Sequence, residues 1–222
     1  MRRYLFPAII GLIGTVILAS LGVWQLQRAE WKQGLLSALQ AGIEAAPVHL
    51  PAQVDPSMKY LPVYLRGTTT GQEILILSGT QTQAGYQVVS GFVAQDGRRV
   101  MVDRGFIPQG ARLTPRPAAA LEIEGNLHWP DERSSATPEP NMEENIWFAR
   151  EVDRMAAALG TEPILIVARA VAGDVQGVTP IPLGIEGIPN SHLSYAVQWF
   201  LLAATWAGMT GFLIWRINRR SF

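Results

Sequence analysis

Two long runs without charge bracket the chain. From Tyr4 to Gln27 no residue is ionised, and "LFPAIIGLIGTVILASLGVW" is long enough to cross a hydrocarbon layer of about 30 Å at roughly 1.5 Å per residue. A second run, Leu193 to Trp215, holds twenty-three uncharged residues. A cleavable signal peptide fits the first run poorly: its apolar stretch is too long, and Ile17, Leu18 and Leu21 spoil the small-residue spacing of a cleavage site. Small residues recur every three or four positions at Gly11, Thr15 and Ala19 and at Ala204, Gly208 and Gly211. Such stripes suit close helix packing in lipid, although glycine and alanine are also simply common in spans.

Between the runs the period changes. "QLQRAEWKQGLLSALQAGIEAA" keeps Leu26, Leu35, Leu36, Leu39 and Ile43 at helical intervals, which predicts that the first helix continues until Pro47. Six short stretches rich in β-branched and aromatic residues follow: "YLPVYLRG", "EILILS", "YQVVSGFVA", "RRVMVDRGFI", "LEIEGNLH" and "PILIVARAV". "WFAREVDRMAAALG" has Phe148, Val152, Met155, Ala156 and Leu159 at helical spacing and stops at Gly160. The proline-rich "DERSSATPEPNMEEN" reads as a long exposed loop, either a linker or a binding loop. The predicted fold class is membrane α+β. Two transmembrane helices flank an extracytoplasmic, mostly antiparallel β-sheet or partial barrel with one covering helix.

Charge sets the orientation. Arg2 and Arg3 precede the first run, and Arg216, Arg219 and Arg220 follow the second. Thirteen basic and eighteen acidic groups remain between Arg28 and Glu186, a net of about −5. The positive-inside tendency then puts both termini in the cytoplasm. The expected division is a cytoplasmic N-terminus over 1–4, a transmembrane helix over 5–26, an extracytoplasmic α+β domain over 27–191, a second transmembrane helix over 192–215 and a cytoplasmic C-terminus over 216–222. With the first span starting so near Met1 there is no room for a transit peptide, which points to a bacterial inner membrane and a periplasmic domain. The acidic middle argues against nucleic acid as a partner. The absence of cysteine excludes disulfides and thiolate chemistry.

Enzymatic motifs are missing. There is no HExxH, glycine-rich phosphate loop or GxSxG, and His49, His128 and His192 lack the spacing of a local metal cluster. Asp103 and Arg104 are neighbours in a strand, so they point to opposite faces and predict ion pairs with other partners, not a catalytic pair. The topology does bring "LGVWQLQR" and "HLSYAVQW" to the same membrane face. His192, Tyr195, Ala196 and Trp199 are spaced i, i+3, i+4 and i+7, on one helical face. His192 could ligate a haem iron, with Tyr195, Trp199 and Trp24 flanking the macrocycle and Arg28 pairing with a propionate. The same residues also suit an interfacial aromatic belt, with Asn190 or Ser191 as an N-cap and His192 reaching headgroups.

"LGVWQLQRAEWKQGLL", "VYLRGTTTGQEILI", "GYQVVSGFVAQDGRRVMVDRGFIP" and "HLSYAVQWFLLA", in this order between two spans, resemble the surfeit locus protein 1 family of haem–copper oxidase assembly factors. The resemblance covers nearly the whole chain. Asp103 and Phe106 stand where that family more often shows asparagine and tryptophan, while Gly67, Arg104 and Gly105 recur and suit a role in domain shape. It implies a non-enzymatic membrane protein that handles haem a for terminal oxidase subunit I beside the haem-synthesis machinery, with His192 as the iron ligand. A scaffold that stabilises subunit I without holding haem is the second reading, and an enzyme with dispersed acid–base groups the third.

Overall fold

A computed structural model of the chain describes residues 4–79, 83–185 and 188–219. Arg2, Arg3, Glu186 and Arg220, which entered the charge argument, lie outside the described residues. The chain divides into two units, one made of residues up to Leu39 with those from Ile185 onward, the other of Gln40–Gly184.

The first unit is helical. α1, Leu5–Glu44, is one uninterrupted helix of 40 residues, about 60 Å long. α3, His192–Arg219, has 28 residues. Both are long and apolar enough to cross a membrane. They pack antiparallel, because Gly11 meets Thr210, Gly14 meets Trp206 and Gly22 meets Phe200. On α1 the less exposed positions Gly11, Thr15, Leu18, Gly22, Gln25 and Ala29 alternate by four and three, and on α3 His192, Ala196, Trp199, Ala203 and Thr210 do much the same. That period of 3.5 is the seam of a left-handed helix pair. The contact joins glycine on α1 to bulky side chains on α3: a Cβ at Gly22 would stand 2.8 Å from the Phe200 ring. The second expected stripe is therefore displaced. Gly208 and Gly211 face open space and Ala204 is exposed, while Ala196 and Ala203 are the buried small residues of α3.

The second unit is a partial five-stranded barrel. Its main strands are β2 (Pro62–Gly79), β3 (Ala84–Ala94), β4 (Arg99–Pro108), β5 (Ala120–His128) and β7 (Leu165–Gly173), with the two-residue strands β1 (Val48–His49) and β6 (Ile146–Trp147) added to β2. The ring runs β2–β3–β4–β7–β5 and returns to β2. All contacts around it are antiparallel except β4–β7, which is parallel and only three residue pairs long. The two stretches predicted as the first two strands form the single strand β2. A register shift between Thr69 and Glu73, with Gly71 at φ +76°, bends it; residues 62–68 pair with β5, and residues 67–69 and 73–79, on either side of the shift, pair with β3. A bulge of this kind lets one strand serve two neighbours and curl a sheet toward closure. Arg116, 7% exposed, fastens the bend through Glu73 at 2.6 Å and the Ala111 carbonyl at 3.1 Å.

Alternation along the strands fills two sides. Val63, Leu65, Phe92, Val100, Val102, Ile123 and Ile166 form one cluster. Ile74, Ile76, Val89, Met101 and Leu165 form another with Met155, Ala156 and Leu159 of α2, Val152–Leu159. The helix is shorter than its periodicity predicts, because Ile146 and Trp147 pair with Leu75 and Ile76 as β6 before the chain turns. Gly160 ends it in the left-handed conformation, φ +62°. Residues 131–145 are largely exposed, as expected for a loop, and are tied by Arg133 to Glu139 and Glu151. The last turn of α1 buries Ile43, whose carbonyl accepts from Asn126 at 2.9 Å and Arg169 at 3.1 Å. A cation and an amide thus serve a carbonyl that the helix end leaves unpaired.

Candidate functional site

The predicted site residues fall on α1 and α3 near the end of the helix pair away from the chain termini. α3 starts at His192, and its first bond runs from the Tyr195 N–H to the Ser191 carbonyl, 3.2 Å, so Ser191 stands in the N-cap position. His192 is half-buried, and its Nδ1 lies 2.8 Å from Oε1 of Gln25 on α1. Trp199 is also half-buried on the seam face, two turns along from His192. Tyr195 and Trp24 are 50% and 54% exposed, leaving two aromatic surfaces uncovered. Arg28 is exposed, with its guanidinium 4.1 Å from the Trp31 ring centroid. Stacking of this kind uses the guanidinium face and not the in-plane N–H donors, which stay available for a carboxylate. One turn further, Lys32 Nζ donates to the Pro189 carbonyl at 2.6 Å and ties α1 to the segment entering α3.

Two members of this constellation escaped the sequence reading. Gln25 is a polar residue on the 3.5-residue seam of an otherwise apolar face, a signal that the seam spacing could have supplied. Trp31 lies one turn beyond Arg28, but its use as a stacking platform is a rotamer choice that no spacing shows.

The barrel unit contains a buried charged network. Asp103 is 1% exposed, with Oδ1 accepting from the Gly105 N–H at 3.1 Å and Oδ2 from Arg150 Nη1 at 3.1 Å. Arg150 also donates from Nε to Glu132 at 2.9 Å, and its backbone N–H reaches the same carboxylate. Arg104 is the extra residue of a bulge opposite Val88 and Val89; it turns away to Gln176 Oε1 at 3.2 Å and the Val175 carbonyl at 2.9 Å. Asp103 and Arg104 therefore serve separate partners, Asp103 in an ion pair with Arg150 and Arg104 on two neutral oxygens. Beside the network sits His128, 8% exposed, its ring 5.6 Å from Tyr60 and its Nδ1 without a hydrogen-bond partner among the described residues.

The two buried groups titrate in opposite senses. Burial raises the Asp103 carboxyl to about 6, against the pull of Arg150. Burial, with Arg150 and Lys59 nearby, lowers the His128 imidazole to about 4. For His128 the folded value lies below the unfolded 6.5, so its contribution is complete above that pH and is lost as pH falls toward 4. For Asp103 the folded value lies above the unfolded 3.8, so the cost of burying it as an anion at neutral pH is relieved as pH falls through 6. Near pH 5 the folded chain holds its proton on Asp103 and the unfolded chain on His128, and the two slopes cancel. Stability of the full chain in detergent is expected to change little between pH 6.5 and 5. His128→Phe should instead gain stability over that interval, and thermal unfolding at the two pH values checks this. Equal slopes in both proteins would refute the compensation.

Two helices able to cross a membrane, separated in sequence by a five-stranded partial barrel, define the class of protein. The SURF1 family model matches residues 12–204, and the chain belongs to the SURF1 family. It is 32% identical to Surfeit locus protein 1 of Homo sapiens over 216 aligned positions, covering 83% of this chain and 69% of the human protein. It is 30% identical to a SURF1-like protein of Monosiga brevicollis, covering 93% and 87% of the two chains. A SURF1-like protein of Drosophila melanogaster is 30% identical, covering 88% and 72%.

Proposed function

We propose that this chain is a membrane-anchored assembly factor for a haem–copper terminal oxidase, binding haem a at the His192 end of its helix pair and aiding its delivery to, or retention in, subunit I. Family membership supports the role in oxidase assembly. The observation that carries the haem reading is the half-buried His192, fixed by Gln25 where the two helices meet. The residues fit such a group: an imidazole is the commonest simple haem anchor, Trp24, Tyr195 and Trp199 offer apolar ring surface, and Arg28 can meet a propionate. Haem a would supply the iron centre. The chain's own part is to hold and orient it, and no reaction of its own is assigned.

With arginines beyond both apolar runs, the reading places both termini in the cytoplasm of a bacterial cell and the barrel in the periplasm. The partners are then oxidase subunit I, the haem-synthesis machinery and membrane lipid.

The test is the optical spectrum of the full chain purified from cells that make haem a. Wild type is expected to carry or take up haem in near-equimolar amount, and His192→Ala to lose most of it while unfolding of the barrel stays unchanged. Haem binding unaltered in His192→Ala removes the ligand assignment. Oxidase intermediates captured without pigment, together with normal assembly by His192 variants, favour the haem-free scaffold.

A further inference from the structure

We propose that Gln25 is the positioning residue of this site: its side-chain carbonyl holds the proton of His192 on Nδ1, so that Nε2 is the nitrogen left with a free lone pair for a metal. A neutral imidazole carries one proton, and the hydrogen bond at one nitrogen decides which nitrogen that is. The 2.8 Å contact runs from Nδ1 to Oε1, and a carbonyl oxygen can only accept. The proton therefore sits between them. Carbonyl or carboxylate partners of this kind orient metal-ligating histidines generally, fixing the tautomer and raising the basicity of the second nitrogen.

The surrounding residues make the contact a built one. Gly22 lies three residues before Gln25 on the same face of α1, and there the Phe200 ring occupies the space a side chain would take. Without that close approach the short amide of Gln25 would not reach across. On the other side Lys32 holds the Pro189 carbonyl, three residues before His192. The pair is thus bracketed by one packing contact and one hydrogen bond, both joining α1 to α3 or to the segment that leads into it. The buried Ala196, one turn after His192, adds no bulk that would push the imidazole off the seam.

The use of Nε2 as an iron ligand rests on the proposed haem role, but the tautomer belongs to the haem-free chain and is tested there. The full chain with 15N-labelled histidine in nanodiscs gives separate ring-nitrogen signals for its three histidines, and His192 is assigned by its loss in His192→Ala. In wild type Nδ1 is expected to be pyrrole-like and Nε2 pyridine-like, while Gln25→Leu should shift the ring toward the Nε2–H form. Gln25→Glu, which keeps an acceptor, should restore the wild-type pattern. Added ferric haem should bind about 10–100-fold more weakly to Gln25→Leu, and Gln25→Glu should bind it with a lowered reduction potential. A wild-type ring protonated on Nε2 means that the amide presents its NH2 to the imidazole and overturns the proposal. So does a tautomer that Gln25→Leu leaves unchanged. If the tautomer responds as expected but His192→Ala binds haem normally, the positioning contact stands and the ligand reading of His192 fails.

Discussion

Arg150→Met is expected to destabilise the barrel by about 3–5 kcal/mol at pH 8, the usual cost of stripping a buried charge of its partner. Arg150 is the cation between Asp103 and Glu132, and Asp103 has a side chain only 2% exposed. Even with Arg150 present, burial keeps the Asp103 carboxyl at about 6. Without it the folded value rises further, so the deficit should grow as pH rises through that value and shrink on acidification to pH 5. Asp103→Asn should cost far less, since an amide needs no counter-charge. The pair Arg150→Met with Asp103→Leu should recover much of the loss, because matched apolar groups replace a buried ion pair at little cost. Denaturant unfolding of the full chain, followed by circular dichroism at both pH values, measures this. A loss under about 1 kcal/mol at pH 8 would remove Arg150 from the centre of the network, given the range expected for a buried pair.

Gly105→Ala should be comparably severe. Gly105 has φ +114°, a region that side chains avoid, and an added Cβ would lie 2.5 Å from the Pro180 Cα and inside the van der Waals shell of the Thr179 carbonyl oxygen. That carbonyl accepts the Phe106 N–H at 2.8 Å, so it cannot retreat without breaking a bond. Backbone strain and the forced shift together are expected to cost about 3 kcal/mol or more, a fall in Tm on the order of 10 °C for a chain of this size. Gly97→Ala is the control. Its φ is +86° with no atom within 4 Å of an added Cβ, so only the backbone term remains. Equal Tm losses in the two variants would show that the clash at Thr179 is relieved without cost.

The sequence shows most of this fold where a pattern is long and repeated. Both apolar runs appear as helices, and the strand alternation locates the barrel's inner residues, such as Val100 and Val102 against Met101. It fails where one local event overrides the pattern. The bulge at Thr69–Glu73 joins two predicted strands, and the pairing of Ile146 and Trp147 as β6 leaves Phe148, the first residue of the helical period, outside α2, which begins only at Val152. The strand pattern around Gly105 does not show why a glycine stands there; the carbonyl of Thr179, 74 residues later, leaves no room for a side chain. At the candidate site, His192 and Trp199 are legible from helical spacing. Gln25 stands out only as a polar residue on the seam spacing; that its partner is His192 is not legible, because the partner lies on another helix and only the seam register brings them together.

That register has its own consequence. Helices joined through glycine, alanine and threonine have many nearly equivalent ways to sit together in lipid, and a slide of one heptad would still set small residues against larger ones. Such a slide would part Gln25 from His192 and leave each polar group without this partner. A single amide–imidazole pair therefore works as a detent: it adds little to adhesion, yet it selects one of several alignments.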